Sequence, residues 1–168
     1  GGPWSPGAVV GGRDPARLVE EGPDAEYGWR VLVRRRSICG YGKPLLTALC
    51  HCEDCQKGTG SAFSILVAVA REELWIEGRS LAAFESVGAS GWPVTHEFCS
   101  ACGSPILSDV AITPDLVWIR AGTLDDRSWI RPQMNIWCDS AQPWVDMDRA
   151  IPRFAQNPPI GVGPGADL

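Results

Sequence analysis

Seven cysteines, at positions 39, 50, 52, 55, 99, 102 and 138, are the residues of this chain best suited to chemistry. An odd count leaves one thiol over in any full set of disulfides, and clustered cysteines without export signals are more often metal ligands or catalytic thiols. Three of them form Cys50-His51-Cys52-Glu53-Asp54-Cys55, a C-x-C-x-x-C array. Residues i and i+2 of a regular strand share one face, but tetrahedral ligation needs bonds of about 2.3 Å converging on one point. The backbone must therefore turn within the array, and the x-x spacing of Cys52 and Cys55 supplies the turn. Three thiolates from one short loop can hold zinc with a fourth position open to water or substrate, the ligand count of a catalytic site. A fourth ligand from His51, His96 or a distant cysteine would instead close the site and make it structural. Spacing alone leaves both readings open. His51, between two ligands, is expected to face away from the metal.

The second cluster, Cys99-Ser100-Ala101-Cys102-Gly103, has the form of a zinc knuckle. Glycine after the second cysteine permits the positive φ that lets backbone N–H groups point at sulfur. A redox C-x-x-C should open a helix in a βαβ unit, whereas Pro105 and strand-like residues follow here. Paired with the upstream array, the knuckle points strongly to zinc. Cys99 and Cys102 need partners to complete a tetrahedral site, and Cys39 is the other upstream cysteine. Cys138, beside Trp137, reads as a small buried hydrophobe.

The elements that must position these thiols are short strands separated by turn signals. Thr47 to Cys50, Phe63 to Ala70, Val94 to Phe98, Ile106 to Asp109, Leu116 to Ala121 and Asn135 to Cys138 are predicted strands. Leu74 to Glu77 and Leu81 to Ser86 are predicted to pair as a hairpin around Gly78-Arg79. Helical periodicity is nearly absent, and Pro15 to Glu21 is its best instance. The core is expected to be all-β. Of the 168 residues, 19 are glycine and 14 proline, an excess that implies turns and loose ends rather than a helical bundle. Residues 1–27 are expected to be disordered, 28–156 to form the zinc domain, and 157–168 to be a flexible tail.

The formal charge of −5 and a pI near 5.0 argue against nucleic acid as a partner, despite the run Arg34-Arg35-Arg36. The longest apolar stretch, Ile65 to Ala70, suits a strand and falls far short of a membrane span. The amino-terminal GGPWSPGAVVGG lacks a charged region followed by an apolar block, so a cytoplasmic location is expected.

The segments CHCEDCQKGTGSAF (50 to 63), FCSACGSPI (98 to 106) and AGTLDD (121 to 126), with Asn135-Ile136-Trp137, Trp144 and Ile151-Pro152-Arg153-Phe154, carry a family resemblance. In them the chain resembles the glutathione-dependent formaldehyde-activating enzymes, whose domain also occurs in centromere protein V. The resemblance implies packed antiparallel sheets like those of the Mss4 zinc proteins, and two zinc sites. It assigns the catalytic zinc to Cys50, Cys52 and Cys55. It assigns Cys99 and Cys102 to a structural zinc, together with an early C-x-C inside a G-x-C-x-C-G segment. The implied activity condenses glutathione with formaldehyde to S-hydroxymethylglutathione, classed as a carbon–sulfur lyase in the reverse sense. The implied partners are thus a small thiol and a small carbonyl; the alternative is a non-catalytic zinc-binding interaction module. Ser61 and the Asp125-Asp126 pair could orient substrate or shuttle protons, though turn or cap roles are the favoured reading for each.

One segment departs from the family. Where G-x-C-x-C-G is expected, just before Gly42-Lys43-Pro44, the chain reads RVLVRRRSICGY from Arg30 to Tyr41. Reading the codons of Arg30 to Lys43 one nucleotide later, with suitable synonymous choices, gives Gly-Cys-Leu-Cys-Gly-Ala-Ala-Arg-Tyr-Ala-Val-Thr-Gly. The segment is therefore expected to be a displaced reading frame of the missing motif, which the coding DNA decides. On that expectation two of four structural ligands and the first strand are lost, with Cys39 a substitute for one ligand. Stability then suffers, because metal binding is coupled to folding.

Overall fold

The computed structural model describes residues 29–33, 36–40, 44–76, 81–124 and 126–159. The expected helix over Pro15 to Glu21, the segment 1–27 expected to be disordered, Asp125 and most of the expected 157–168 tail lie outside the described residues. Within them run ten strands. These are β1 Trp29–Val33, β2 Arg36–Gly40, β3 Leu46–Cys50, β4 Ser64–Ala70, β5 Leu74–Ile76, β6 Leu81–Val87, β7 Pro93–Cys99, β8 Pro105–Val110, β9 Leu116–Arg120 and β10 Met134–Ile136. One helix, α1, covers Glu53–Thr59, and three single 3-10 turns complete the set. The mostly-β expectation holds, and the architecture accords with the Mss4-like arrangement.

Seven strands form one sheet in the order β10-β3-β4-β9-β8-β7-β6, and β1-β2-β5 form a second. All pairs are antiparallel except β10 with β3. The interior strand β4, SILVAVA, is buried over most of its length, as a strand covered on both faces must be. Directly paired residues share a face, so the register sorts side chains into two cores. Val67, Val69, Leu107, Val117, Ile119 and Cys99 belong to one, against which Leu74 of β5 packs. Ala48, Cys50, Leu66, Met134 and Ile136 belong to the other, together with Cys52 and Cys55.

Three local expectations are corrected. The hairpin around Gly78-Arg79 does not form, because β5 pairs with β2 in the small sheet while β6 pairs with β7 along its whole length, from Leu81↔Cys99 to Val87↔Pro93. The partner of β5 lies in the Arg30 to Tyr41 segment, where loss of the strand is the sequence expectation. That segment nonetheless forms β1 and β2, for which its valines and isoleucine have good propensity. The last strand stops at Ile136 rather than Cys138, since Trp137 takes a left-handed φ of 59° and a 3-10 turn follows.

Glu97 of β7 lies opposite Leu107, on the side of the larger core, and its Oε2 has no hydrogen-bond partner. Burial, reinforced by the nearby Asp109 charge and opposed by Arg71, pushes its carboxyl up to about 7. The folded state then holds the proton more tightly than the unfolded chain. The stability this confers is full below about pH 4.5 and is lost as pH rises through 7. Glu97→Gln is expected to match the parent at pH 5 and to exceed it at pH 8 by about 1–2 kcal/mol, the partial exposure of the group screening the rest. Urea unfolding at the two pH values measures this; equal differences at both would contradict it.

Candidate metal centre

The turn demanded by C-x-C-x-x-C is made by a strand ending and a helix beginning. Cys50 is the last residue of β3, held by pairing to Ser64 and Ile136. Cys52 is the N-cap of α1, its sulfur accepting from the Cys55 N–H at 3.4 Å. Glu53 and Asp54 occupy the first turn, where the helix dipole favours negative charge, and Gly60 closes the helix at φ 63°. Seven residues are too few for apolar periodicity, so the sequence shows only a turn where this helix stands. The result gathers the Sγ atoms of Cys50, Cys52 and Cys55 within 4.8 Å of one another, all three buried. No other described His, Cys, Asp or Glu belongs to the group.

The two histidines that could have closed the site are engaged elsewhere. His51 is wholly buried, with Nε2 at 3.0 Å from Asn135 Oδ1 and its ring against Phe63. His96 of β7 lies between Ser86 Oγ at 3.0 Å and Ser108 Oγ at 3.3 Å, under the stacked ring of Phe84. The loop itself is clamped by Gln56, whose Nε2 donates to the carbonyls of His51 at 2.6 Å and Ser140 at 2.9 Å. Gln142 Nε2 in turn donates to Gln56 Oε1 at 2.7 Å. The Arg153 to Gln156 stretch runs beside β10, with Phe154 N–H to Asn135 O and Trp137 N–H to Gln156 O, and Trp137 Nε1 donates to Asn157. Of the residues that carried the resemblance near the end of the chain, Ile136, Trp137 and Phe154 thus pack with the cysteine loop, whereas Trp144 is exposed.

Cys99 and Cys102 are not brought to this group. They pack with the core on the opposite face of the seven-stranded sheet, Cys102 with its sulfur 3.2 Å from Ser104 Oγ. Gly103 takes the expected positive φ, 73°, and its N–H and that of Cys102 donate to the Cys99 carbonyl. Two cysteine sets on opposite faces cannot share one ion. The side chain of Cys39 is outside the description; its backbone on β2 pairs with Trp75, next to Leu74 of the Cys99 core. Cys138 is partly buried, its sulfur 4.0 Å from Met147 Sδ, and burial pushes its thiol up. Asp126 is exposed and accepts from the Ser128 N–H at 2.8 Å, a turn role that lowers its carboxyl. Ser61 is likewise exposed, just beyond the end of α1.

Charge at the tri-cysteine group is uneven. Hydrogen bonds from the Cys50 and Cys52 thiols, aided by the Arg120 charge, hold Cys55 well below the usual thiol range against the cost of burial. Hydrogen bonds with Cys52 and Cys55, together with burial, push Cys50 up. Arg120, at the end of β9, is the residue that sequence reasoning missed. It is 7% exposed, and its Nη1 lies 2.7 Å from Ser64 Oγ and 3.6 Å from Cys55 Sγ, its Nη2 3.0 Å from Ser108 Oγ. Its signal was a lone charge closing the apolar run Leu116-Val117-Trp118-Ile119. Three buried convergent sulfurs with no fourth described His, Cys, Asp or Glu beside them, and a neighbouring guanidinium, fit a thiophilic divalent ion such as zinc.

A family model described as glutathione-dependent formaldehyde-activating enzyme matches residues 36–140, more than half of the chain. The matched span contains all three cysteines of the group, the Cys99 and Cys102 knuckle and Arg120, and it begins within the departing Arg30 to Tyr41 segment. No curated protein matches the chain.

Proposed function

This chain belongs to the glutathione-dependent formaldehyde-activating enzyme family, and from that premise we propose that it joins glutathione, or another small thiol, to formaldehyde or a related carbonyl. The observation that supports the reading is the buried tri-cysteine group with no fourth described protein ligand. Zinc held by Cys50, Cys52 and Cys55 would lower the pKa of a thiol occupying the fourth position. The addition balances without an oxidant: the thiol S–H bond and the carbonyl π bond break, a carbon–sulfur bond forms, and the π pair moves to oxygen and takes up the thiol proton as the O–H bond. The chain's own residues prepare the place for it. Gln56 and Gln142 fix the loop, the Ala48, Leu66 and Ile136 core keeps water from the sulfurs, and Arg120 sets a positive charge beside Cys55. Serving a thiol substrate and keeping its own cysteines reduced suits a cytoplasmic setting.

In the same reading, Cys99 and Cys102 belong to a separate structural zinc on the far face of the sheet, with Cys39 a third ligand. Zinc content and thiol uptake test the two sites together. Elemental analysis of the unchelated protein is expected to give close to two zinc per chain. After cobalt substitution, added glutathione is expected to shift the visible bands of the tri-cysteine site, because a thiolate enters its coordination shell. A spectrum indifferent to glutathione would mean a closed site and an interaction module rather than an enzyme. One zinc or fewer would mean that the knuckle site is incomplete.

A further inference from the structure

A row of polar side chains crosses the sheet face that carries the tri-cysteine group. Pairing places Ser64 beside Cys50, and the diagonal register places Arg120 and then Ser108 along the same face, with His96 opposite Ser108. In the middle of this row stands a guanidinium that is almost wholly buried. A buried charge is costly unless an opposite charge and full hydrogen bonding compensate it. The ion pairs among the described residues are Lys57 with Glu53 and Arg71 with Asp109, so Arg120 has no carboxylate partner there. Its neighbours are two serine hydroxyls and the sulfur of Cys55, 3.6 Å away. The sulfur is the one group of the three that can carry negative charge.

Three thiolates around a divalent ion leave the set with one negative charge, and one buried guanidinium cancels it. We propose that Arg120 is the positioning counter-charge of the tri-cysteine metal centre, holding Cys55 through Nη1 and itself held by Ser64 and Ser108. The inference rests on the reading that these cysteines bind a metal, and it adds that a residue on a different strand, without ligating, governs how tightly they do so. The fork geometry matters to it: the two terminal nitrogens take separate anchors, Ser64 on β4 and Ser108 on β8, which fixes the guanidinium plane against the sulfur.

Zinc affinity measured by chelator competition on the full chain tests this, with Arg120→Met, Arg120→Lys and the pair Ser64→Ala with Ser108→Ala. Arg120→Met is expected to weaken zinc at the tri-cysteine site by about 10–100-fold, the usual cost of losing an outer partner of a ligand. Arg120→Lys restores the charge and is expected to recover at least half of that loss on a logarithmic scale. The double serine variant keeps the charge but frees it, and a loss of about threefold or more is expected, below the outer-partner range because the charge remains. This arm decides the matter if Arg120→Met does not fold. Zinc binding unchanged in Arg120→Met, a lysine variant as weak as methionine, or an unaffected serine pair would each overturn the proposal. If the parent holds tight zinc at this site and Arg120 is indifferent, only this inference falls. If the parent binds no zinc there, the reading of the site falls with it.

Discussion

Replacing Cys52 by serine is expected to empty the tri-cysteine site of metal while leaving the fold in place. Cys52 does two separable things: its sulfur is one of three within 4.8 Å, and as N-cap of α1 it accepts the Cys55 N–H. Serine is among the best N-cap residues, so the helix start keeps its acceptor. It is a poor zinc ligand at neutral pH, because the hydroxyl does not ionise as a thiol does. Losing even an outer partner of a ligand costs about 10–100-fold in metal affinity, so loss of a ligand should exceed about a hundredfold. Zinc content should fall by one equivalent, glutathione uptake should vanish, and far-UV dichroism of the variant should overlay the parent. Retention of the full zinc content would refute the assignment of Cys52 as a ligand. Collapse of the fold would mean that the metal is needed for folding, as in small zinc domains. A chain of this size with two hydrophobic cores is not expected to need it.

Ile119→Ala is expected to act in the opposite way, on the fold and not on the site. Ile119 is 1% exposed and faces the core shared by Val67, Val69, Leu107 and Val117, on the opposite face from the tri-cysteine group. Truncation removes the transfer free energy of the side chain and leaves a cavity among neighbours held rigidly by strand pairing, at a cost of about 3–4 kcal/mol. For a domain of this size that lowers Tm by about 10 °C. Well below the transition, the tri-cysteine site should hold zinc with parent affinity, because Ile119 and Arg120 point to opposite faces of β9. Calorimetry and chelator competition on the same sample check both halves. A variant with unchanged Tm would show that this core contributes little. One with unchanged Tm and weakened zinc would reverse the assignment of faces.

Much of this was legible in the residues. The thiols of Cys50, Cys52 and Cys55 had to converge, and only a turn between the second and third allows it, so the group was readable before any fold. The strands from Leu46 to Cys50 and from Ser64 to Ala70 were visible because β-branched and apolar runs bounded by glycine and proline have few other conformations available. What failed was partner choice. Leu74–Ile76 and Leu81–Val87 look like a hairpin because they are adjacent and separated by glycine. The actual partners are β2, in a segment with no strong pattern of its own, and β7, which follows β6 after five residues.

The composition and spacing of this chain determined by themselves that it is mostly β, that it carries a tri-thiol group, and that it belongs among its family. These follow from local chemistry: ligand type, side-chain alternation and turn residues act over a few positions. The tertiary structure alone decided that the two cysteine sets stand on opposite faces of one sheet, that both histidines turn to serine and asparagine partners, and that Arg120 stands beside Cys55. Each depends on register between strands distant in sequence, where a shift of one residue would send Arg120 to the other face. Cross-strand pairing is fixed by the joint burial of many side chains, and no short stretch of sequence contains that sum.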